Sequence, residues 1–431
     1  MTTQGVPLPR RVAAGYALGS LATGAFGTVP GLLLLPYLTD TLGVAAGVAG
    51  LLVLLPKAWD VLVNPVAGRI SDRRGDRRPF LIGAGLALGV LFALIFAGPF
   101  GTGAPAAAYV AVLFLAAATA FAFFQVPYVA MPAEMTDGYA ERTRLMTWRV
   151  AVLAFAILVS GALAPLVVDL GGGGLAGHRW SGVFVGLLIV VGALGAFLGT
   201  HDTARNVTEA VDASWRTQIA LAVADVPFRA LLTCFVIQSA GIGTMLAGVQ
   251  YFADHVIGRS SGATFLFAAF VGPALLVMPL WSGVGGRLGK RNAMIWASLI
   301  FAAGALALLT ANALPSVAVY LLVAVVGVGY AGQQVFALAM LPDRIAYDTE
   351  RTGRRQAGVF TGLWTAGETF GLALGPGIYA LMLQAFGYVS SSSGQAAAQD
   401  GTARLGVLLG FTVLPAVLVG AATVLLRRYR D

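Results

Sequence analysis

The chain is a succession of apolar stretches, about twelve in number and each near 20 residues, separated by short polar interruptions. A helix rising 1.5 Å per residue needs roughly 20 residues to cross about 30 Å of hydrocarbon. The pattern therefore predicts spans near 13–37, 43–67, 80–99, 107–131, 148–169, 182–199, 230–252, 263–282, 292–312, 317–341, 357–385 and 405–425. Glycine and proline recur inside them, which membrane helices tolerate better than soluble ones. With 58% hydrophobic and 11% charged residues the sequence is no ordinary soluble domain, where about a quarter is charged. The amino terminus runs straight into a long span without the short apolar core and small-residue cleavage site of a signal peptide, so the first helix is expected to be retained.

The net charge of +8 is distributed by side rather than by patch. If the amino terminus is cytoplasmic, Arg10, Arg11, the 69–78 cluster, Arg142, Arg144, Arg205, Arg216, Arg229, Arg287, Lys290, Arg291, the 344–355 cluster, Arg427, Arg428 and Arg430 share one side. Only Arg179, Arg259 and Arg404 fall on the other. This is the positive-inside asymmetry. It predicts a multi-pass protein of a bacterial inner membrane with both termini cytoplasmic, and it assigns the basic residues to orientation rather than to nucleic acid. Cys234 is the single cysteine, so no internal disulfide can form; His178, His201 and His255 are scattered and make no metal-ligand cluster. No cofactor and no obligate protein partner is implied. The sequence holds no His-Glu-x-x-His, P-loop or Gly-x-Ser-x-Gly elbow, which argues against an enzyme.

The longest polar stretch, around 200–227, divides the chain almost equally. Expected domains are a six-helix half over 1–200, a cytoplasmic linker over 201–227 and a second six-helix half over 228–431. Features recur across the divide at an offset of about 210 residues. Gly68, Asp72, Arg73, Gly75, Arg77 and Arg78 are answered by Arg287, Gly289, Lys290 and Arg291, with Gly286 where the acid would stand. Pro132, Glu134, Asp137, Glu141, Arg142, Thr143 and Arg144 are answered by Pro342, Asp343, Asp348, Glu350, Arg351, Thr352 and Arg354. Such repeats are how many secondary transporters build a site near the bilayer midplane. The expected fold class is an all-α membrane protein with twelve transmembrane helices in two pseudo-symmetric halves.

Charges inside apolar spans are the candidates for function, because placing one at mid-helix costs about 2.5–3.5 kcal/mol on insertion scales. Lys57, Asp60 and Asn64 fall at i, i+3 and i+7 of the second span, on one helical stripe. The same residues read structurally give a Lys57–Asp60 ion pair that locks helix packing. Glu368 lies within the eleventh span, with Trp364 one turn before it. Gln125, Tyr128, Trp148 and Arg149 supply further polar and aromatic groups around spans four and five. Packing, interfacial anchoring and snorkelling are the competing roles for the aromatics and for Arg149.

The segment from Gly68 to Arg78 resembles the signature between helices II and III of the major facilitator superfamily. A closer resemblance is to the glycoside–pentoside–hexuronide:cation symporters, the family of melibiose permease. It is carried by Trp59-Asp60 with Asn64-Pro65, by Pro127-Tyr128 through Glu141-Arg142-Thr143-Arg144 to Arg149, and by Asp343, Tyr347-Asp348, Thr352-Gly353-Arg354-Arg355 and Gly358. The resemblance implies alternating-access symport of a small organic solute, a sugar or glycoside in most of the family. It implies that Asp60 matches the first cation-binding acid of helix II. The second acid position is Asn64, the neighbouring polar site is Val63, and the helix IV hydroxyl position is Ala122. Sodium wants several hard oxygens, so proton coupling through Asp60, or loss of ion coupling, is favoured over sodium. The sugar-binding acids are replaced by Gly24 and Gln125, the helix IV tryptophan by Val129, and the helix XI lysine position is Thr369. That pattern suits a less polar or amphipathic solute held by Gln125, Tyr128, Arg149, Trp364 and Glu368. Asp72, Arg73, Asp137, Arg142, Asp343, Arg351 and Arg355 are expected in a cytoplasmic gate, with ordinary solvated charge as the alternative for each. A non-transporting sensor or scaffold on the same fold is the alternative function.

Overall fold

The computed structural model describes residues 8–74, 76–98, 101–136, 139–201, 224–259, 262–352, 357–390 and 398–429. The described residues are helical throughout their apolar stretches and contain no strand. With no water in the hydrocarbon to satisfy a peptide group, the internally bonded helix meets the demand within one segment. In the first half these are α1 (Arg10–Val29), α2 (Ala46–Arg74), α3 (Arg78–Ile95), α4 (Ala104–Met135), α5 (Tyr139–Leu170) and α6 (Gly174–Gly199). The second half holds α7 (Val226–Phe252), α8 (Gly262–Leu288), α9 (Lys290–Ala307), α10 (Ser316–Thr352) and α11 (Ala357–Ala385). Its last span consists of α12 (Gly401–Phe411) and α13 (Val413–Leu425), broken at Thr412. Helix thus runs through every expected span, and among the described residues 9 helices are long and apolar enough to cross a membrane.

Several helices outrun the apolar stretches that announce them. The polar segments following the fourth and tenth spans read as loops in the sequence, yet α4 reaches Met135, α5 begins at Tyr139 and α10 continues to Thr352. Glutamate and arginine are good helix formers, so leaving the hydrocarbon does not end a helix. The sixth span also starts earlier than its hydropathy suggests, at Gly174, directly after Gly172 and Gly173 turn the chain with φ of +89° and +68°. Beyond Val29, α1 proceeds through π-helical turns at Pro30–Leu34 and Tyr37–Thr41. A proline removes an N–H and crowds the preceding turn, and a widened turn relieves both.

The chain divides into two compact units: Met1–Val44, Leu55–Val211 and Ser390–Ala397 make the first, and Ala45–Leu54, Asp212–Val389 and Ala398–Asp431 the second. In the first, α1 meets α6 so closely that a methyl at Gly15 would lie 2.4 Å from the Gly199 Cα. Phe26 packs α1 against α3 and α4, its ring centroid 6.2 Å from that of Phe92 and 4.6 Å from that of Phe121. In the second, α7 and α11 cross at Gly243 and Gly375, where a methyl on Gly375 would lie 2.2 Å from the Gly243 carbonyl carbon. Small residues of this kind let membrane helices bring their backbones together.

No rotamer change can relieve a clash with backbone. Gly375→Ala is therefore expected to lower thermal stability by about 1–3 kcal/mol, in the range of overpacking substitutions. Gly420→Ala, with open space around its Cβ position, is the control expected to leave the melting temperature of purified protein unchanged.

Candidate functional site

In the first unit α4 carries Gln125 and Tyr128 one turn apart, and Tyr128 is fully buried against α1. The approach depends on Gly19, where a Cβ would stand 2.5 Å from the tyrosine ring. Tyr16 and Tyr128 stack at 4.7 Å and hold each other reciprocally. The Tyr128 hydroxyl donates to the Tyr16 carbonyl at 2.8 Å, and the Tyr16 hydroxyl donates to the Tyr128 carbonyl at 3.2 Å. Because the Tyr128 proton is spent on that carbonyl, Ser20 Oγ, 3.0 Å away, is the donor to the Tyr128 oxygen. Arg149 on α5 lies with its guanidinium carbon 5.4 Å from the centre of the Tyr128 ring. Gln125 Oε1 and Arg149 Nε are both buried without a protein hydrogen-bond partner. An acceptor and a charged donor thus stand beside a rigid tyrosine clasp. Trp148, next to Arg149, is exposed.

Asp60 is 5% exposed on α2. The buried face around it continues through Val63 and Ala67, at i+3 and i+7, and these pack with Ala122 of α4 in an apolar cluster bordered by Phe123 and Val126. Asn64 is exposed, so the expected stripe of Lys57, Asp60 and Asn64 is not one environment. Burial runs from Asp60 towards Val63 because the α4 contact, rather than the charge pattern, selects the inward face. The Lys57 side chain lies outside the described residues. Trp59 ties α2 to α4 by donating its indole N–H to Thr119 Oγ1 at 2.9 Å.

In the second unit Trp364 is 3% exposed and stacks on Phe235 of α7 at 4.3 Å. The α11 face that carries it is kept close to α7 by Gly367 and Gly371, which lie against Leu232, Val236 and Ser239. Glu368, one turn beyond Trp364, is half-buried and within electrostatic reach of Tyr330 on α10. The Tyr330 hydroxyl accepts from Gln334 Nε2 at 3.1 Å. Gln238 and Gln333 are buried polar groups of the same unit.

Of the expected gate residues, Asp343 is described: it pairs with Lys290, whose ammonium also donates to the Ala339 carbonyl at 3.2 Å. The two repeated motifs of the second half are joined by that pair. Asp137 and Arg355, and the side chains of Asp72, Arg73, Arg142 and Arg351, lie outside the described residues. Within the corresponding segment of the first unit, Arg77 donates to Ser71 Oγ at 3.2 Å and Arg78 to the Phe197 carbonyl at 2.9 Å.

Sequence reasoning missed Tyr16, Ser20, Gln238, Gln333, and the pair Asp225–Arg344. Arg344 grips Asp225 through two bonds of 2.9 and 2.6 Å, while Asp225 Oδ1 also accepts from the Phe228 N–H and so caps α7. An acid directly before Val226-Pro227 is a helix-start signal that could have revealed the cap. Glutamines inside apolar spans, Gln238 and the Gln333-Gln334 pair, are equally visible in the sequence.

With this geometry in place, comparison with known proteins identifies the family. A family model described as MFS/sugar transport protein matches residues 15–430, and the chain belongs to that family. The putative glycoside/cation symporter YagG of Escherichia coli (strain K12) is 26% identical over 440 residues, covering 96% of this chain and 91% of the relative. The uncharacterized symporter YnaJ of Bacillus subtilis (strain 168) is 27% identical over 95% of this chain and 89% of its own length. The isoprimeverose transporter of Lactiplantibacillus pentosus is 23% identical, with 96% and 87% covered. Among solved structures, a mutant form of the nucleoside transporter NupG superposes with a TM-score of 0.72 at 13% identity, covering 96% of this chain and 99% of that one. The protein is an all-α, multi-pass secondary transporter of the major facilitator fold.

Removing one partner of the buried Asp225–Arg344 pair strands a charge, so Asp225→Ala should cost about 3–5 kcal/mol. Tyr128→Phe removes hydrogen bonds without stranding a buried charge, and a smaller loss of about 1–2 kcal/mol is expected. Chemical or thermal unfolding of the two variants side by side checks the order; equal losses would contradict it.

Proposed function

We propose that, as a member of this family, the protein is a proton-coupled symporter of a small glycoside-type solute, with Asp60 as the proton carrier. The observation that carries the choice of ion is the cluster of Val63, Ala67 and Ala122 beside Asp60. A sodium ion needs several hard oxygens in a shell, and hydrocarbon occupies the positions where the family resemblance would put two of them. A proton needs only one basic oxygen, which the buried carboxylate supplies. An acid at this depth is a functional residue by default because its insertion is costly.

The names of YagG and of the isoprimeverose transporter support a sugar-bearing solute. The absence of carboxylates at Gly24 and Gln125 favours a less polar or amphipathic member of that class. Gln125, Tyr128 and Arg149 of the first unit are assigned to solute binding, as are Trp364 and Glu368 of the second, while the gate residues named above form and release charge pairs as access alternates. The positive-inside pattern supports cytoplasmic termini in a bacterial inner membrane. Loss of the second helix II acid, at Asn64, favours one further reading, a non-transporting sensor. Alternating accessibility of cavity positions to labels from each side marks a carrier, and a fixed pattern marks a sensor.

Reconstituted into liposomes with a solute found by thermal-shift screening of glycosides, organic acids and lipid-like compounds, the protein is expected to accumulate that solute under an inward proton gradient. A sodium gradient alone should drive none. Asp60→Asn should abolish accumulation while leaving solute binding within about threefold. Accumulation that persists in Asp60→Asn with its pH dependence intact would overturn the assignment.

A further inference from the structure

Three side chains of the second unit are each more than nine-tenths buried and carry a polar atom without a protein partner: Gln238 Oε1, Gln333 Nε2 and Trp364 Nε1. Side-chain contacts bring their helices together around one core. The Trp364 ring lies on Phe235, one turn before Gln238 on α7. Gln238 Nε2 donates to Ser298 Oγ on α9 at 2.9 Å. Ala297, beside Ser298, faces Gly332, beside Gln333, where a glycine Cβ would stand 2.5 Å from the alanine methyl. Phe235, Ala297, Ala331 and Trp364 belong to the same buried cluster.

Ser298 decides what Gln238 can offer. Its hydroxyl has one proton, and that proton goes to the Met294 carbonyl at 2.8 Å. Towards Gln238 the serine oxygen can therefore only accept, which turns the amide nitrogen to the serine and leaves the amide oxygen as the free group. The result is one acceptor, Gln238 Oε1, with two donors, Gln333 Nε2 and the Trp364 indole. A hydroxyl is the small group that satisfies both kinds, since it gives one hydrogen bond and receives others. A carboxylate has nothing to donate to Gln238, and an ammonium has nothing to accept from Trp364 or Gln333. A hydrocarbon leaves all three unpaired.

We propose that Gln238, Gln333 and Trp364 form a subsite for an uncharged hydroxyl of the transported solute, with Ser298 as the positioning residue that fixes Gln238 as acceptor. The subsite rests on the reading of the protein as a carrier of a glycoside-type solute, and it names the neutral half of that recognition. An internal water offers the same chemistry as a solute hydroxyl, and the arms of the test separate them.

The test measures equilibrium binding to the full-length protein in detergent. The probes are isoprimeverose, methyl β-glucopyranoside and methyl β-galactopyranoside with their monodeoxy analogues, and cyclohexanecarboxylate and tetramethylammonium as hydroxyl-free charged controls. At least one glycoside is expected to bind. For it, Gln238→Met should raise Kd about tenfold, the value of an unmade hydrogen bond to a buried group. Ser298→Ala should raise Kd by a smaller factor, and Ser298→Thr, which keeps the hydroxyl, should restore it. One monodeoxy analogue should bind wild type and Gln238→Met equally, because the contacted hydroxyl is already missing. If both variants bind every glycoside as wild type does, the atoms serve an internal water and the subsite falls, with the carrier reading untouched. Binding of the charged controls alone, or of no glycoside, strikes the hydroxyl class itself. Proton coupling at Asp60 is read separately in liposomes, so the failure of either idea is distinguishable from that of the other.

Discussion

Within lipid, a helix gains nothing hydrophobic by leaving its acyl-chain neighbours for another helix, so association depends on how closely backbones can approach. This protein answers with glycine placed against glycine or backbone: Gly15 at Gly199, Gly89 at Gly186, Gly243 at Gly375. Two of the candidate side chains, Trp364 and Tyr128, depend on close approaches of this kind. The Gly243–Gly375 contact holds α11 near α7, and that proximity allows Trp364 to lie flat on Phe235. Gly19 does the same for Tyr128, whose ring could not reach the α1 backbone past any side chain.

Close packing also explains how polar groups survive at depth. A buried tyrosine hydroxyl needs a partner, and Tyr16 and Tyr128 find theirs in each other's carbonyls, outside the ordinary helical ladder. The reciprocal arrangement fixes both rings and gives Arg149 an aromatic face to rest over. Beside Asp60 the packed face of α2 is apolar, filled with Val63, Ala67 and Ala122. One unit therefore contains a hydrogen-bonding region and an apolar α2–α4 contact, set apart by which face of α4 each uses.

Much of the fold was legible because lipid leaves an apolar segment of this length little choice but helix. The helix ends were not, because hydropathy marks where hydrocarbon stops and the hydrogen-bond ladder ends elsewhere, as at Met135 and Thr352. At the candidate site, the composition of spans and the family resemblance brought forward Asp60, Tyr128, Arg149 and Trp364. They did not reveal that Val63 rather than Asn64 shares the burial of Asp60, since a helical stripe is about 100° wide and only the neighbouring helix chooses its centre. Nor could spacing disclose the orientation of Gln238, which follows from a serine on another helix sixty residues away.

The Asp225 cap has a mechanical meaning. The chain enters α7 at this residue, and a helix end held only by its own first hydrogen bonds frays when pulled, because those amides have no partners within the helix. Here a tug on the preceding segment meets the Phe228 amide and, through a two-pronged grip, the Arg344 guanidinium on α10. Load is shared between two helices before a single turn unwinds. The start of α7 and the Arg344 turn of α10 are in this way tied to each other.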